Sequence, residues 1–437
     1  MHKRPLSFSV AFSAFAAAAL LSGALVGAKA QIPDTRISLP SNYLNSVGTL
    51  FSDPTTNLLF GTYEGDGATN FGSVFSVNPH VGASSLQTVY TFSGGTDGGV
   101  PGGGVISDVS GNLYGTTTYG GTNNTGGIYE LVKSGPSYTY KDVYDFTLTY
   151  PNLAMVGELK SDAYGNLYGT TVNGGTYGNG NVFEIQGAAG ATPTYTDLYD
   201  FPTSPISGVS PSGGVTLVNN PGGSVTLYGA LSQGGTYGYG DVYSLLVANP
   251  AAPSAVATDL YDFANNGTDG NGPVAAPLIA YGDLFGATSA GGIGSAGVLY
   301  EISDLNGTPT YQTLYGFTGG ADGAYPLGTL VADGAYLLGT TSSGGTGSAG
   351  VAWSYNLGSG QLTPLISFDG GTTLGGNPQV GLTQIQPGVF AGVNISGGAN
   401  GAGVLFIITP EPGSYATMLI GAVTFGGILA RKRKKRA

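Results

Sequence analysis

Cysteine is absent from the 437 residues, which excludes disulfides, thiolate metal sites and a cysteine nucleophile. Stability must therefore come from packing, which a chain of this length can supply without covalent staples. Histidine is reduced to His2, which falls in the signal peptide, and His80; a Ser-His-Asp triad would have to be centred on a solitary His80 in a loop beside Pro79. Basic residues are scarce where they would matter. Of the 13 Lys and Arg, nine lie near the ends: Lys3, Arg4, Lys29 and the run Arg431 to Arg436. Residues 31–409 keep Arg36, Lys133, Lys141 and Lys160 against all the acids except Glu411, which is 4 minus 24, or −20. That field repels phosphate backbones and anionic headgroups, so nucleic acid is excluded as a partner.

Glycine, at 79 residues, is abundant but shows no three-residue period, and 28 Tyr with 18 Phe supply large side chains suited to half-buried strands. Collagen and a wholly disordered chain are both excluded. A short pattern recurs as Leu59-Phe60-Gly61-Thr62, Leu113-Tyr114-Gly115-Thr116, Leu167-Tyr168-Gly169-Thr170, Leu227-Tyr228-Gly229-Ala230, Leu284-Phe285-Gly286-Ala287 and Leu337-Leu338-Gly339-Thr340. A degenerate seventh copy is Val389-Phe390-Ala391-Gly392. Successive starts differ by 54, 54, 60, 57, 53 and 52 residues, a true repeat of about 54 residues.

Each copy continues through a Gly-Gly turn into a second strand such as Val182-Phe183-Glu184-Ile185, then a third such as Leu198-Tyr199-Asp200-Phe201. A fourth, such as Gly104-Val105-Ile106-Ser107, precedes the next Leu-Tyr-Gly. Four short strands make one propeller blade, and seven blades bury one another's faces around an axis. The expected fold is all-β, a seven-bladed β-propeller over residues 31–409. The last repeat stops at Ile408 without its Tyr-Asp-Phe strand, while Arg36-Ile37-Ser38-Leu39 is a spare segment at the other end, so this segment is expected to complete the last blade.

Both ends read as addresses. His2, Lys3 and Arg4 precede an apolar run closing on Ala28-Lys29-Ala30 before Gln31, the pattern of a secretory signal peptide over residues 1–30, cut between Ala30 and Gln31 by signal peptidase. Residues 410–437 open with Pro410-Glu411-Pro412, continue in an apolar stretch to Ala430 just long enough to span a bilayer, and end in six basic residues that resist translocation. In this order the three parts resemble the PEP-CTERM sorting signal of Gram-negative bacteria that make extracellular polysaccharide. The resemblance implies recognition near Pro410, Glu411 and Pro412 by an exosortase, removal of the transmembrane helix and basic tail, and delivery to the cell surface or extracellular matrix. Contact with the membrane is then through the C-terminal helix alone, before processing. The body pattern also resembles the GloVer (Gloeobacter and Verrucomicrobia) tandem repeat, which implies membership and little about activity.

Candidate chemistry is sparse. Gly174 to Gly180 lacks the Lys-Ser or Lys-Thr of a phosphate loop and reads as a strand turn. Asp97, Asp269 and Asp322 recur after the Tyr-x-Phe strand, where oxygen ligands on one rim would suit calcium, but Asp-Gly is equally a turn pair. Glu130, Glu184 and Glu301, with Asp145, Asp200 and Asp262, are repeated, whereas glycosidase chemistry needs a unique pair with separately tuned pKa values. These acids are expected on exposed strand faces or in hydrogen bonds between blades. Trp353, the lone tryptophan, takes the aromatic place of the second strand, a core position. No catalytic residue and no cofactor is assigned. The function expected is an exported, non-enzymatic surface or matrix protein that binds extracellular polysaccharide; the alternatives are a glycosidase or lyase on a propeller scaffold and a purely structural repeat protein.

Overall fold

The computed structural model describes residues 36–41, 44–65, 71–147, 157–202, 208–211, 213–248 and 255–409. Ala28, Ala30, Gln31 and Pro410 to Pro412 lie outside these residues. Among the described residues no helix is long and apolar enough to cross a membrane.

Seven antiparallel sheets follow one another along the chain, five of four strands and two of five, and together they form a seven-bladed β-propeller. The third blade shows the plan: strands Lys160–Ser161, Leu167–Thr171, Asn181–Gln186 and Thr194–Asp200 pair in that order. The Leu-Tyr-Gly-Thr and Val-Phe-Glu-Ile patterns are the two middle strands, and they are buried along nearly their whole length. Strands buried on both faces lie between neighbouring blades, and the core is accordingly distributed. Leu167, Phe183 and Ile185 of the third blade pack on Tyr114, Ile128 and Phe146 of the second.

The glycine of Leu-Tyr-Gly-Thr is needed for space. Gly169 is paired with Phe183, and a Cβ on Gly169 would lie 2.6 Å from the Phe183 ring. The cross-strand aromatic therefore lies over a bare backbone. In the sixth blade that aromatic is Trp353, fully buried over Gly339.

The seventh blade closes the ring. Its strands Thr383–Gln386, Val389–Asn394 and Val404–Ile408 are completed on the outside by Arg36–Ser38, with Arg36 opposite Phe406, Ile37 opposite Leu405 and Ser38 opposite Val404. The segment imitates the Tyr-Asp-Phe strand it replaces. Leu39 N–H donates to Gly403 O at 3.1 Å, as Phe146 does to Gly126 and Phe201 to Gly180. Asn400 Nδ2 donates to Leu39 O as Asn179 Nδ2 does to Phe201 O, and the Ser38 hydroxyl accepts from Ala399 N–H where Asp145 accepts from Thr122 N–H.

One feature departs from simple alternation. In six blades the pairing of third and outer strands slips by a residue, between Val182 and Phe183 in the third blade for example. The residue bulged out is the Leu or Val that begins each Leu-Tyr-Asp-Phe pattern, such as Leu198 between the paired Asp197 and Tyr199. A bulge inserts one unpaired residue and re-aims those after it. The tyrosine and phenylalanine that follow meet edge to face, with ring centroids 5.4 Å apart and planes at 77° for Tyr199 and Phe201.

Candidate functional site

The repeated acids are employed inside the blades. Glu130 and Glu184 are buried, contrary to the expectation of exposed faces or inter-blade bonds. Tyr114 donates to Glu130 at 2.9 Å and Tyr168 to Glu184 at 2.8 Å, each within one blade. Burial raises the Glu184 carboxyl, and the bonds from Tyr168 and Gln186 work against that rise. The inter-blade tie at this position comes from Lys141, which pairs with Glu130 at 2.7 Å and also donates to Ala188 O and Ala189 O of the third blade. Asp145, Asp200 and Asp262 accept from Thr122, Thr176 and Thr236 and so pin the Gly-Gly turns. A Cβ on Gly175 would lie 2.1 Å from Asp200 Oδ1, so these turns need glycine to let the carboxylate in. The Gly174 to Gly180 segment is this turn.

Asp97, Asp269 and Asp322 lie in three separate crossings from one blade to the next. Each accepts from the hydroxyl of a tyrosine on the outer strand just before it, Tyr90 at 2.9 Å, Tyr261 at 3.0 Å and Tyr315 at 3.0 Å, and from a nearby backbone N–H, of Ser93, Ala264 and Thr318. Among the described residues no three His, Asp or Glu side chains are grouped to hold a metal ion. His80 is exposed, with the Gln386 amide 3.5 Å from its ring.

Among the described residues two surfaces offer shape or aromatic exposure to a ligand. The first is the centre of the ring, where inner strands of all seven blades line a cavity of about 600 Å³. Neighbouring inner segments pack backbone on backbone: a Cβ on Gly48 would lie 1.8 Å from Gly104 N of the next blade. Threonines of the Leu-Tyr-Gly-Thr strand tie adjacent blades together, Thr62 donating to Gly103 O and Thr170 to Pro211 O of the following blade. Glu158 reaches across from the third blade to the first, where its Oε1 accepts from both Thr49 N–H and Thr49 Oγ1. Burial would raise the Glu158 carboxyl, but the Lys160 ammonium, 3.4 Å away, and the Thr49 donors together hold it below the usual range. Sequence reasoning passed over this pair. The signal was present, since in the inner-strand position of Lys160 other blades carry Phe51, Ile106, Thr216, Leu278 and Val331.

The second surface is one end of the ring. In an antiparallel blade the turn between the two middle strands and the crossing to the next blade lie at the same end, and bonds between them show this, as Gly121 N–H to Gly95 O and Gly292 N–H to Asp269 O. Tyr177 and Tyr237 occupy equivalent turns of adjacent blades and are each 58% exposed; Tyr119, Tyr239 and Tyr325 are also exposed at this end. Beneath it is an unusual carboxylate. Asp241 is fully buried, stands opposite Asp262, and neither of its oxygens has a hydrogen-bond partner. Burial first, and then the charges of Asp259 and Asp262, push it up to about 8, with the nearby Gly208 amide offsetting part of that.

The family model described as the Gloeobacter/Verrucomicrobia repeat matches residues 40–243 and 217–427. A search among curated proteins finds no match. Among solved structures, an ulvan lyase of a polysaccharide lyase family, bound to a GlcA-Rha3S disaccharide unit, is 10% identical with a TM-score of 0.51, covering 86% of this chain and 96% of that one. An α-L-arabinanase of Penicillium chrysogenum is 12% identical at 0.45, covering 86% and 98%. A puromycin-hydrolyzing peptidase of Mycobacterium tuberculosis is 11% identical at 0.47, covering 82% and 52%. At 10% identity the likeness to the ulvan lyase is one of fold alone.

Proposed function

Because the chain belongs to the Gloeobacter/Verrucomicrobia repeat family, whose repeat here builds a complete ring, we propose that it is an exported, non-enzymatic surface or matrix protein that binds extracellular polysaccharide through the tyrosine-bearing end of that ring. The observation carrying the reading is the exposure of Tyr177 and Tyr237 in equivalent turns of adjacent blades. Exposed aromatic faces are costly to hydrate and suit the apolar faces of sugar rings. The signal pattern ending at Ala30 and the sorting pattern at Pro410, Glu411 and Pro412 supply the route: export, exosortase cleavage and release to a Gram-negative cell surface. A body with so few basic residues suits a neutral or hydrated glycan matrix better than any polyanion.

A glycosidase would need two carboxylates flanking one bond. The central cavity has Glu158 as its one acidic side chain among the described lining residues, and that carboxylate is committed to Thr49 and Lys160. The non-enzymatic reading is therefore preferred.

The test is co-sedimentation of the full chain with the producing cell's own exopolysaccharide. Tyr177→Ala combined with Tyr237→Ala is expected to weaken binding about tenfold, the scale of truncating one aromatic anchor. Absence of binding by the folded wild-type chain, or full retention by the double variant, refutes the proposal.

A further inference from the structure

The central cavity holds chemistry that neither the repeat nor the polysaccharide surface explains. Lys160 is one of only four basic residues between residues 31 and 409, and it lies in the lining of the cavity on the ring axis. Its side chain is 39% exposed, against 18% for Glu158. An ammonium carries three N–H donors, yet Lys160 makes a single hydrogen bond among the described residues, to Glu158 Oε2, and at 3.4 Å that bond is long for a charged pair. Glu158 is in turn secured by its other oxygen to Thr49. The arrangement holds a cation at the wall with donors to spare rather than neutralising it in a tight ion pair.

Around this cation the wall is mixed. Ser107, Ser161 and Thr216 bring hydroxyls, while Ile106, Leu217 and Leu278 bring apolar surface. The volume of about 600 Å³ lies within the roughly 300–1,000 Å³ of ordinary small-molecule sites. One cation, several hydroxyls and apolar patches match a ligand with one negative charge, several hydroxyls and an apolar ring face. A polyanion is disfavoured by the acidic exterior, whereas a single charge crosses that field at small cost in physiological salt.

We propose that the central cavity is a binding site for a sugar acid, in which the Lys160 ammonium pairs with the ligand carboxylate and the wall hydroxyls bond its hydroxyl groups. Glu158 acts as a positioning residue, aiming Lys160 through its own anchorage on Thr49. This site does not depend on the tyrosine surface, and either can stand without the other.

Calorimetric titration of the full chain with D-glucuronate tests it, with D-glucose and acetate as controls. Saturable glucuronate binding is expected, with glucose and acetate each at least tenfold weaker, because one lacks the charge and the other the hydroxyls. Lys160→Met is expected to lose at least tenfold in glucuronate affinity. Since that change leaves Glu158 without its counter-ion, Lys160→Met combined with Glu158→Gln provides a variant with no unpaired charge, and it too should lose binding while melting as the wild type does. Tyr177→Ala with Tyr237→Ala should leave glucuronate affinity unchanged. Equal affinity for glucose and glucuronate, no binding by a folded wild-type chain, or undiminished binding by the double variant would overturn the proposal. A glucuronate trisaccharide distinguishes the source of the ligand: binding as tight as the monomer assigns the site to a chain end, and weaker binding assigns it to the free sugar acid.

Discussion

At the residue scale, Asp241 shows how one substitution inside a repeat changes its chemistry. In the third blade the equivalent position is Asn181, opposite Asp200, whose amide oxygen accepts from Thr171 at 2.6 Å and whose Nδ2 donates to Tyr195 at 2.9 Å. In the fourth blade the register puts Leu231 where Thr171 was and Ala257 where Tyr195 was, so a buried carboxylate replaces the amide just where both hydrogen-bonding side chains are missing. The folded group titrates near 8 against an ordinary 3.8. Below about pH 4 both folded and unfolded chains hold the proton and the burial costs little. As pH rises toward 8 the unfolded chain releases the proton while the folded chain keeps it, so this one group lowers stability progressively across the window, and its penalty is complete above it. Asp241→Asn leaves the missing partners missing but removes the titrating carboxyl, and it is expected to stabilise the protein by about 1–2 kcal/mol at pH 7.5, the scale of one pKa unit or so of that linkage. The gain should shrink in urea melts at pH 4.5; a gain equal at both pH values would contradict the assignment.

Packing at the same scale was easier to read. The glycine of Leu-Tyr-Gly-Thr and the aromatic of the following strand were both visible as repeated letters, but not that one exists to seat the other, because that follows from register. Gly169→Ala places a methyl 2.6 Å from the Phe183 ring, and such overpacking is expected to cost about 1–3 kcal/mol in thermal unfolding. Glu130 and Glu184 show the limit of reading acids one strand at a time. Their burial depends on tyrosines 16 residues earlier in the chain, which belong to a separate pattern in the sequence.

At the scale of the element, strand number, order and the seam were legible, since a missing outer strand at one end and a spare one at the other leave a single pairing. The bulge was not. A Leu-Tyr-Asp-Phe run satisfies alternation on paper, and the slip at Leu198 becomes visible only once Asp197 and Tyr199 are seen paired to consecutive residues, Phe183 and Val182. The seam itself is testable. Leu39 is fully buried in the place that Phe146, Phe201 and Phe263 hold in other blades, so Leu39→Ala is expected to destabilise the ring by about 2–5 kcal/mol. Because this residue fastens the first segment to the last blade, its loss should raise the susceptibility of the Arg36 to Leu39 segment to proteolysis, read by N-terminal sequencing of the products. Wild-type stability in the Leu39→Ala chain would mean that the strand decorates the ring rather than closes it.

At the scale of the whole molecule, charge acts against the fold. Residues 31–409 carry 4 minus 24, or −20, and the described ion pairs that offset it are Lys141 with Glu130 and Lys160 with Glu158. Like charges spread over one compact ring repel more strongly folded than unfolded, and salt shortens the reach of that repulsion to about 8 Å at physiological strength. Raising sodium chloride from about 10 mM to about 150 mM at pH 7.5 is therefore expected to raise the melting temperature by a few degrees. The Asp241 cost adds to this but differs in kind, since desolvation of a buried group is not screened by salt. Asp241→Asn and added salt should thus act nearly additively at pH 7.5. Acidification to pH 5.5 should stabilise the wild-type chain more than the variant, because only the wild type recovers the linkage cost of Asp241, whereas the gain from Asp259, raised to about 6 by burial and then by the Asp262 charge, is common to both. If salt lowered the melting temperature, the exposed carboxylates would have to be held by cations that competing ions displace, and self-repulsion would not be what limits the stability of the ring.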